Sequence, residues 1–482
     1  MMLNNLRQLI LILATALLTV GCSVYQKYTR PENVSTKPIY GENVTGSDTT
    51  TMADIGWRDI FTDPLLQRLI EQGLKNNADM QIASQRIIAS KASLRTAKLA
   101  FYPTFSFEPG ITTKNHLGGS STHSYSVPLS ANWEIDIAGR TLNAKRKAEA
   151  AYQQSRIYRR SVQSRLIAEI ANCYYTLLML DAQLNISRST AASWKENVRI
   201  MKAMKQAGMT NEASVSQTEA NSCSIDASLF DLEHDIVKVE NSLALLLGTT
   251  PQHFERGSIY DQRVTQNKLI VGIPAQLLSR RPDVQSAERA LQQAFYNTNI
   301  ARGSLYPSLR LSGSLGWQDE LGKAVASPGS WLLSAAANLV ADIFKSGQKR
   351  AALQVAKAQQ QEALITFNHT LLAAGSEVNE ALAQCQLAQS KTDIRRRQIE
   401  ALESAVNSTR QLMSHSESTY LEVLTAQQKL LSAQLSQITD HFEAVQGTIN
   451  LYHALGGGAD EVESDDEKPQ KRNKRKGKTV KK

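Results

Sequence analysis

Tyr125-Ser126-Val127-Pro128-Leu129-Ser130-Ala131-Asn132-Trp133-Glu134-Ile135-Asp136-Ile137 is the stretch that decides the fold. Its odd positions are Tyr, Val, Leu, Ala, Trp, Ile and Ile; its even positions include Ser126, Ser130, Asn132, Glu134 and Asp136. Strict alternation describes a strand with one apolar and one polar face. The run is long enough to cross a hydrocarbon layer at a tilt. Just before it, Phe101, Pro103, Phe105, Phe107, Pro109 and Ile111 alternate with Tyr102, Thr104, Ser106, Glu108, Gly110 and Thr112. A Gly/Ser-rich loop, Lys114 to His123, joins the two runs.

The same pattern returns further along. Leu305, Pro307, Leu309, Leu311, Leu315 and Trp317 alternate with polar neighbours, and Trp331, Leu333, Ala335, Ala337, Leu339, Ala341 and Ile343 follow. Strands are therefore predicted at about 101–112, 125–137, 305–317 and 331–343. The prolines fall near strand starts, where a helix must give way to extended backbone. The repetition is general. Asn77-Ala78-Asp79 lies 204 positions before Arg281-Pro282-Asp283, and Tyr102-Pro103 lies 204 before Tyr306-Pro307. Beyond them the shift is 208, with Gly139 answering Gly347, Glu169 answering Glu377, and Leu247-Gly248 answering Leu455-Gly456. The chain divides into 1–21, 22–55, a first repeat 56–248, a linker and second repeat 249–458, and a tail 459–482.

The rest of each repeat reads as helix. Asp63 is an N-cap before Pro64, and periodicity runs from there to about Leu99. Arg140 to about Gln206 contains no proline; a break is expected near Asp181 to Ser187, and the whole would span on the order of 100 Å. Ile225, Leu229, Leu232, Ile236, Val239, Leu243 and Leu246 form a heptad seam, as do Leu431, Leu435, Ile438, Phe442, Val445, Ile449 and Tyr452. Beside the first seam runs a second stripe, Cys223, Ala227, Phe230, Val237 and Ala244, which suits a helix with two neighbours.

The ends set the compartment. Arg7, the apolar run Leu9 to Val20, and Leu18-Thr19-Val20-Gly21-Cys22 resemble a bacterial lipoprotein signal, with Cys22 the residue expected to be lipidated. No later apolar run is long enough for a membrane helix, although β-strands leave only a weak hydropathy signal. The 482 residues carry a formal charge of +9, weighted by a tail in which an acidic block precedes a basic one. A disordered, solvated tail is expected. Export excludes nucleic acid as its partner. Residues 22–55 read as an extended linker. Cys173, Cys223 and Cys385 have no metal-like spacing and read as buried free thiols.

Four strands cannot close a barrel, and a membrane sheet tolerates no free edge. Chains must share one barrel: eight strands in a dimer, twelve in a trimer, with a tetramer left open. At this point Gly56-Trp57, Phe61, Asp63-Pro64-Leu65, Asn76 to Asp79, Gly272-Ile273-Pro274-Ala275, Arg280-Arg281-Pro282-Asp283-Val284 and Leu451-Tyr452-His453-Ala454-Leu455-Gly456 resemble the TolC-like outer-membrane factors. The match is with the lipoprotein branch of OprM/NodT-type efflux components.

The resemblance implies a mixed, mainly α, internally duplicated fold. It implies a homotrimer whose shared 12-stranded barrel continues as a long α-helical periplasmic barrel. It implies an outer-membrane location, lipid-anchored and barrel-spanning, with a large periplasmic portion. It implies partners: a periplasmic adaptor, an inner-membrane RND-type transporter and outer-membrane lipid. Arg280, Arg281, Pro282 and Asp283 are the family's structural motif. Glu212, Tyr420 and Glu422 are candidates for the gate at the helix tips. The family often has Gly in the second hairpin turn, where this chain has His415-Ser416-Glu417-Ser418. No catalytic or cofactor motif is present, so neither enzyme activity nor a cofactor is expected. A passive conduit for small toxic compounds is the reading. The alternatives are the exit duct of a type I protein-secretion system and a lipid-anchored coiled-coil scaffold without a pore.

Overall fold

The computed structural model describes residues 25–31, 51–114, 121–260, 277–320, 331–340, 346–414 and 420–459. The signal segment with Cys22, most of the linker to residue 55, residues 272–275, 341–343 and 415–418, and the charged tail lie outside them.

Two equivalent series of elements follow one another. The first comprises α1 (Trp57–Ile60), α2 (Pro64–Asn76), α3 (Ala78–Leu99), β1 (Thr104–Phe107), β2 (Gly110–Lys114), β3 (Thr122–Ile135), α4 (Arg140–Gln206) and α5 (Glu212–Leu247). The second comprises α6 (Leu277–Arg280), α7 (Pro282–Gly303), β4 (Ser308–Glu320), β5 (Trp331–Val340), α8 (Gln348–Ser414) and α9 (Tyr420–Ala454). The helix lengths match: 22 residues in α3 and α7, 67 in α4 and α8, 36 and 35 in α5 and α9.

Local chemistry sets the helix starts. The Asp63 carboxylate accepts from the Leu65 N–H at 2.8 Å, with Pro64 at the first helical position. Asn77 caps α3 by accepting from the Asp79 and Met80 N–H groups. The expected break near Asp181 does not occur, and α4 is continuous. Asp181 turns outward to receive the Arg256 guanidinium at 2.5 and 3.0 Å, so its carboxylate does not compete for the helix backbone. Leu177, Leu178, Leu180 and Leu184 bury the same stretch.

The sheet has the order β1-β3-β4-β5, with β2 also on β3, and every pairing is antiparallel. β1 and β2 share one register: Thr104 faces Asn132 and Gly110 faces Ser126. Between them the Glu108 N–H donates to the Pro128 carbonyl at 3.4 Å, and Pro109 has no N–H to give. They are one strand in two pieces. It starts at Thr104 and not Phe101, because the Tyr102 N–H donates back to the Leu99 carbonyl and closes a turn.

Each pairing joins odd positions to odd. Phe107 faces Leu129, Leu129 faces Leu315, and Leu315 faces Leu333. One face is therefore apolar along most of its height, giving way to Thr113, His123 and Asp319 at one end, and it is exposed at Phe105, Phe107, Ile111, Leu129, Leu333 and Leu339. The other face carries Ser130, Ser314 and Ser334, with Glu134 between Arg310 at 3.5 Å and Arg140 at 3.2 Å. Among the described residues, β5 and the β1–β2 strand have no strand on their outer edges. Among the described residues no helix is long and apolar enough to cross a membrane.

The core lies where the two series meet. Phe61, Leu66 and Ile70 pack with Ile167, Ile170, Tyr174 and Leu177 of α4, Phe367 and Leu371 of α8, and Ile449 and Tyr452 of α9. The heptad seam of α5 turns inward at Ile236 and Leu243, while most of the second stripe stays exposed. That corrects one cysteine. Cys385 is buried and Cys173 half-buried, but Cys223 lies on the uncovered stripe and is exposed.

Candidate functional site

Three places concentrate polar structure: the helix tips, the belt where the repeats meet, and the junction of strands and helices. The tips of both helical hairpins lie at one end. Asn197 of α4 donates to Gln427 of α9 at 2.9 Å, and Gln183 donates to Thr439 at 3.1 Å. Asn211 caps α5 by accepting from the Ser214 N–H at 2.9 Å. Glu212 is the first residue of that helix and pairs with Lys205 across the turn. Glu422 sits in the first turn of α9 and is exposed.

Tyr420 opens α9 but turns inward. It lines a cavity of about 480 Å³ with Ala192, Ile200, Arg410, Met413 and Val423. Its hydroxyl is buried and makes no hydrogen bond among the described residues. Burial pushes that hydroxyl up to about 12. Among the described residues no hydrogen bond or ion pair joins Glu212 to Tyr420, and the Tyr420 hydroxyl faces the cavity between the helices.

At the belt, Arg281 is a buried hub. It gives two hydrogen bonds to Asp283 at 2.9 and 2.5 Å, pairs with Glu377 at 2.7 Å, and donates to the Ala454 carbonyl at 3.1 Å. Burial lowers its proton affinity, but Asp283 and Glu377 outweigh that and raise it. Pro282 follows at the first helical position of α7. Arg280 pairs with Asp54. The first repeat holds the same place with other residues. Asn77 donates to the Leu246 carbonyl at 3.0 Å, and Arg165 pairs with Asp79 at 3.2 Å and Glu169 at 3.7 Å. Gly248 and Gly456 close the two hairpins with positive φ. A β carbon there would lie 2.8 Å from the Asn76 carbonyl oxygen and 2.9 Å from that of Arg280. Beside the hub, His453 meets Ser164 at 3.0 Å. Burial, then the Arg281 charge, holds its imidazole below the usual value.

The junction contains residues that the sequence alone did not single out. Tyr25 packs against Gly139, under Arg146 at 5.5 Å. The Gln26 carbonyl accepts from Asn299 at 2.9 Å, and Arg30 grips Glu288 at 2.8 and 2.7 Å. Tyr28 meets Phe295 edge-on at 5.5 Å. Residues 25–31 are thus docked, though their composition suggested only linker. The described chain begins beside the strand–helix junction, three residues after Cys22 in sequence.

The family model described as outer membrane efflux protein matches residues 69–249 and 273–457, which are the two series. The chain is 26% identical over 453 residues to the probable outer membrane lipoprotein SilC of Salmonella typhimurium, covering 93% of this chain and 98% of that one. It is 28% identical over 469 residues to the toluene efflux pump outer membrane protein TtgC of Pseudomonas putida, covering 94% and 96%. The open state of the Neisseria gonorrhoeae MtrE outer membrane channel superposes with a TM-score of 0.81 at 25% identity, over 91% of this chain and 99% of that one. Because the match takes in both repeats, the sheet and the helical hairpins over nearly the full length of these relatives, the chain belongs to the outer membrane efflux protein family and is an outer-membrane efflux channel component.

Proposed function

We propose that three copies share one 12-stranded barrel and one helical tunnel, as the passive outer conduit of a tripartite pump. The observation that carries this is the sheet, with one face apolar along most of its height and, among the described residues, two edges that no strand covers. In hydrocarbon each unpaired edge group costs several kcal/mol, so the edges must meet those of other copies. The polar face, with Glu134 and Arg310, then lines the lumen. The long helices extend the conduit through the periplasm to a periplasmic adaptor and an inner-membrane, proton-driven transporter of the RND type. Relatives are named for toluene and for cations, which supports small toxic compounds as cargo and selection by the transporter.

Cys22 is the lipid anchor in this reading, supported by the docking of residues 25–31 beside the membrane junction. Arg280, Arg281, Pro282 and Asp283 act structurally, locking the second repeat to the end of α9. The tips close the conduit at rest, with Glu212 and Glu422 at the constriction and Tyr420 packed behind it; opening moves α9 against α4 and α8 around the Tyr420 cavity. Native mass spectrometry of the detergent-extracted full chain tests the stoichiometry. Three copies are expected; a monomer or a dimer would overturn it.

A further inference from the structure

Residues 25–31 roof a cavity of about 330 Å³ over α7 and α8. Leu291, Phe295 and Leu364 form its apolar wall, and Arg302 and Lys357 line it as well. Among the described residues no carboxylate lines it. Lys357 is exposed and makes no hydrogen bond or ion pair among the described residues. Arg302 gives one N–H to the Asn299 side-chain oxygen at 3.4 Å. The cavity beside Tyr420 differs, because there Glu196 shares the lining with Arg410.

Tyr28 adds a donor. It lines the same cavity, and its hydroxyl is buried without a hydrogen bond among the described residues. Burial, then the nearby Glu288 carboxylate, pushes that hydroxyl up to about 12, so it keeps its proton. Glu288 itself is held by Arg30 at 2.8 and 2.7 Å and does not offset the two lining cations. The first repeat shows the contrast. The shift of 204 puts Lys98 of α3 where α7 has Arg302, and the shift of 208 puts Glu149 of α4 where α8 has Lys357. The corresponding groove of the first repeat thus carries both signs, and that of the second carries only one. Two cations without a counter-charge, beside a buried hydroxyl without an acceptor, make a place that an anion completes.

The position says which anion. Arg302 lies in the last turn of α7, and β4 begins at Ser308. Between them Leu305 and Tyr306 are 42% and 47% exposed. Beyond them stands the apolar face, where Leu309 pairs with the exposed Leu339. Charge, then exposed apolar surface, then the sheet is the order of groups in a lipid. We propose that the cavity holds the phosphate of an anionic glycerophospholipid of the periplasmic leaflet. Arg302, Lys357 and the Tyr28 hydroxyl take the headgroup, and the acyl chains lie over Leu305 and Tyr306 toward the sheet. An ethanolamine head would bring an ammonium to a lining with no carboxylate to receive it. This rests on the reading of the sheet as the membrane-spanning part.

Native mass spectrometry of the full-length protein in detergent tests it, with phosphatidylglycerol, phosphatidylethanolamine or inorganic phosphate supplied. One phosphatidylglycerol per copy should be retained, in clear excess over phosphatidylethanolamine. Arg302→Gln with Lys357→Gln should lower that retention roughly 25-fold, about fivefold for each cation. Tyr28→Phe should lower it roughly tenfold. Lys98→Gln, at the equivalent place in the first repeat, should leave it unchanged. Where the double variant fails to assemble, Lys357→Glu alone serves, since that side chain is exposed, and it too should lose the lipid. Equal retention of the two lipids, or retention that these variants do not move, would overturn the site. Inorganic phosphate held as tightly as phosphatidylglycerol would make it a soluble-anion site and overturn the lipid assignment. Wild-type protein that gives no channel steps in planar bilayers would overturn the membrane reading beneath it; steps without the lipid preference would overturn this site alone.

Discussion

Arg281 and Arg165 do the same task from different positions, and that difference is measurable. Arg281 is buried among Asp283, Glu377 and a carbonyl, whereas Arg165 serves Asp79 and Glu169 from an exposed site. Arg281→Ala should cost roughly 3 kcal/mol, the lower end for breaking a buried pair because Glu377 stays half exposed. Arg281→Lys should recover little, since an ammonium cannot reproduce the fork. Arg165→Ala should cost less than about 1 kcal/mol. Thermal unfolding of the extracted protein distinguishes these. His453 adds a pH dependence. Its folded value lies below the unfolded one of 6.5, so the stability it contributes is present above that value and is lost as pH falls through the folded value. The charged groups acting on it are Arg281, Glu377, Asp283 and Arg165. Melting should fall as pH drops below 6.5, and His453→Gln should flatten that fall. The sequence marked Arg281 through its motif. It gave no sign of Arg165, because Arg165 reaches Asp79 only once α4 lies beside α3.

At the scale of elements, alternation decides what each strand position does. A charge on the apolar face should cost roughly 2–4 kcal/mol at midplane depth. Leu129→Arg and Leu311→Arg should therefore strongly reduce assembled protein in outer membranes, while Ser130→Arg and Ser312→Arg should assemble and change conductance. Equal tolerance of both sets, on native gels of membrane extracts, would show that the facing is wrong. The faces were legible because period two survives any shift of strand ends. The ends were less so: the turn at Tyr102 spends three residues that alternate as if they were strand. The continuity of α4 was not legible either, since the partner that draws Asp181 outward, Arg256, lies 75 positions away. The second stripe on α5 was read as needing a second neighbour, and in the single chain most of it is bare.

At the scale of the whole molecule, duplication was the most legible feature, and side-chain orientation at the tips the least. Tyr420 reads in sequence as a gate candidate at a helix tip; its burial depends on how α4, α8 and α9 pack, which no local pattern records. Residues 25–31 read as linker because their anchors, Glu288 and Asn299, are far away in sequence. Cys22→Ala should slow delivery and assembly more than it alters the finished pore, read as labelled palmitate lost and outer-membrane protein delayed. The tips, in the proposed account, restrict a conduit that the barrel leaves open. The direct measurement is single-channel recording of the purified full chain in planar bilayers, alone and as Tyr420→Ala with Glu422→Ala. Small, long-lived steps are predicted for the wild type, and larger steps for the double variant at equal trimer yield. Bilayers that show no steps with either protein would contradict the account of a shared transmembrane conduit.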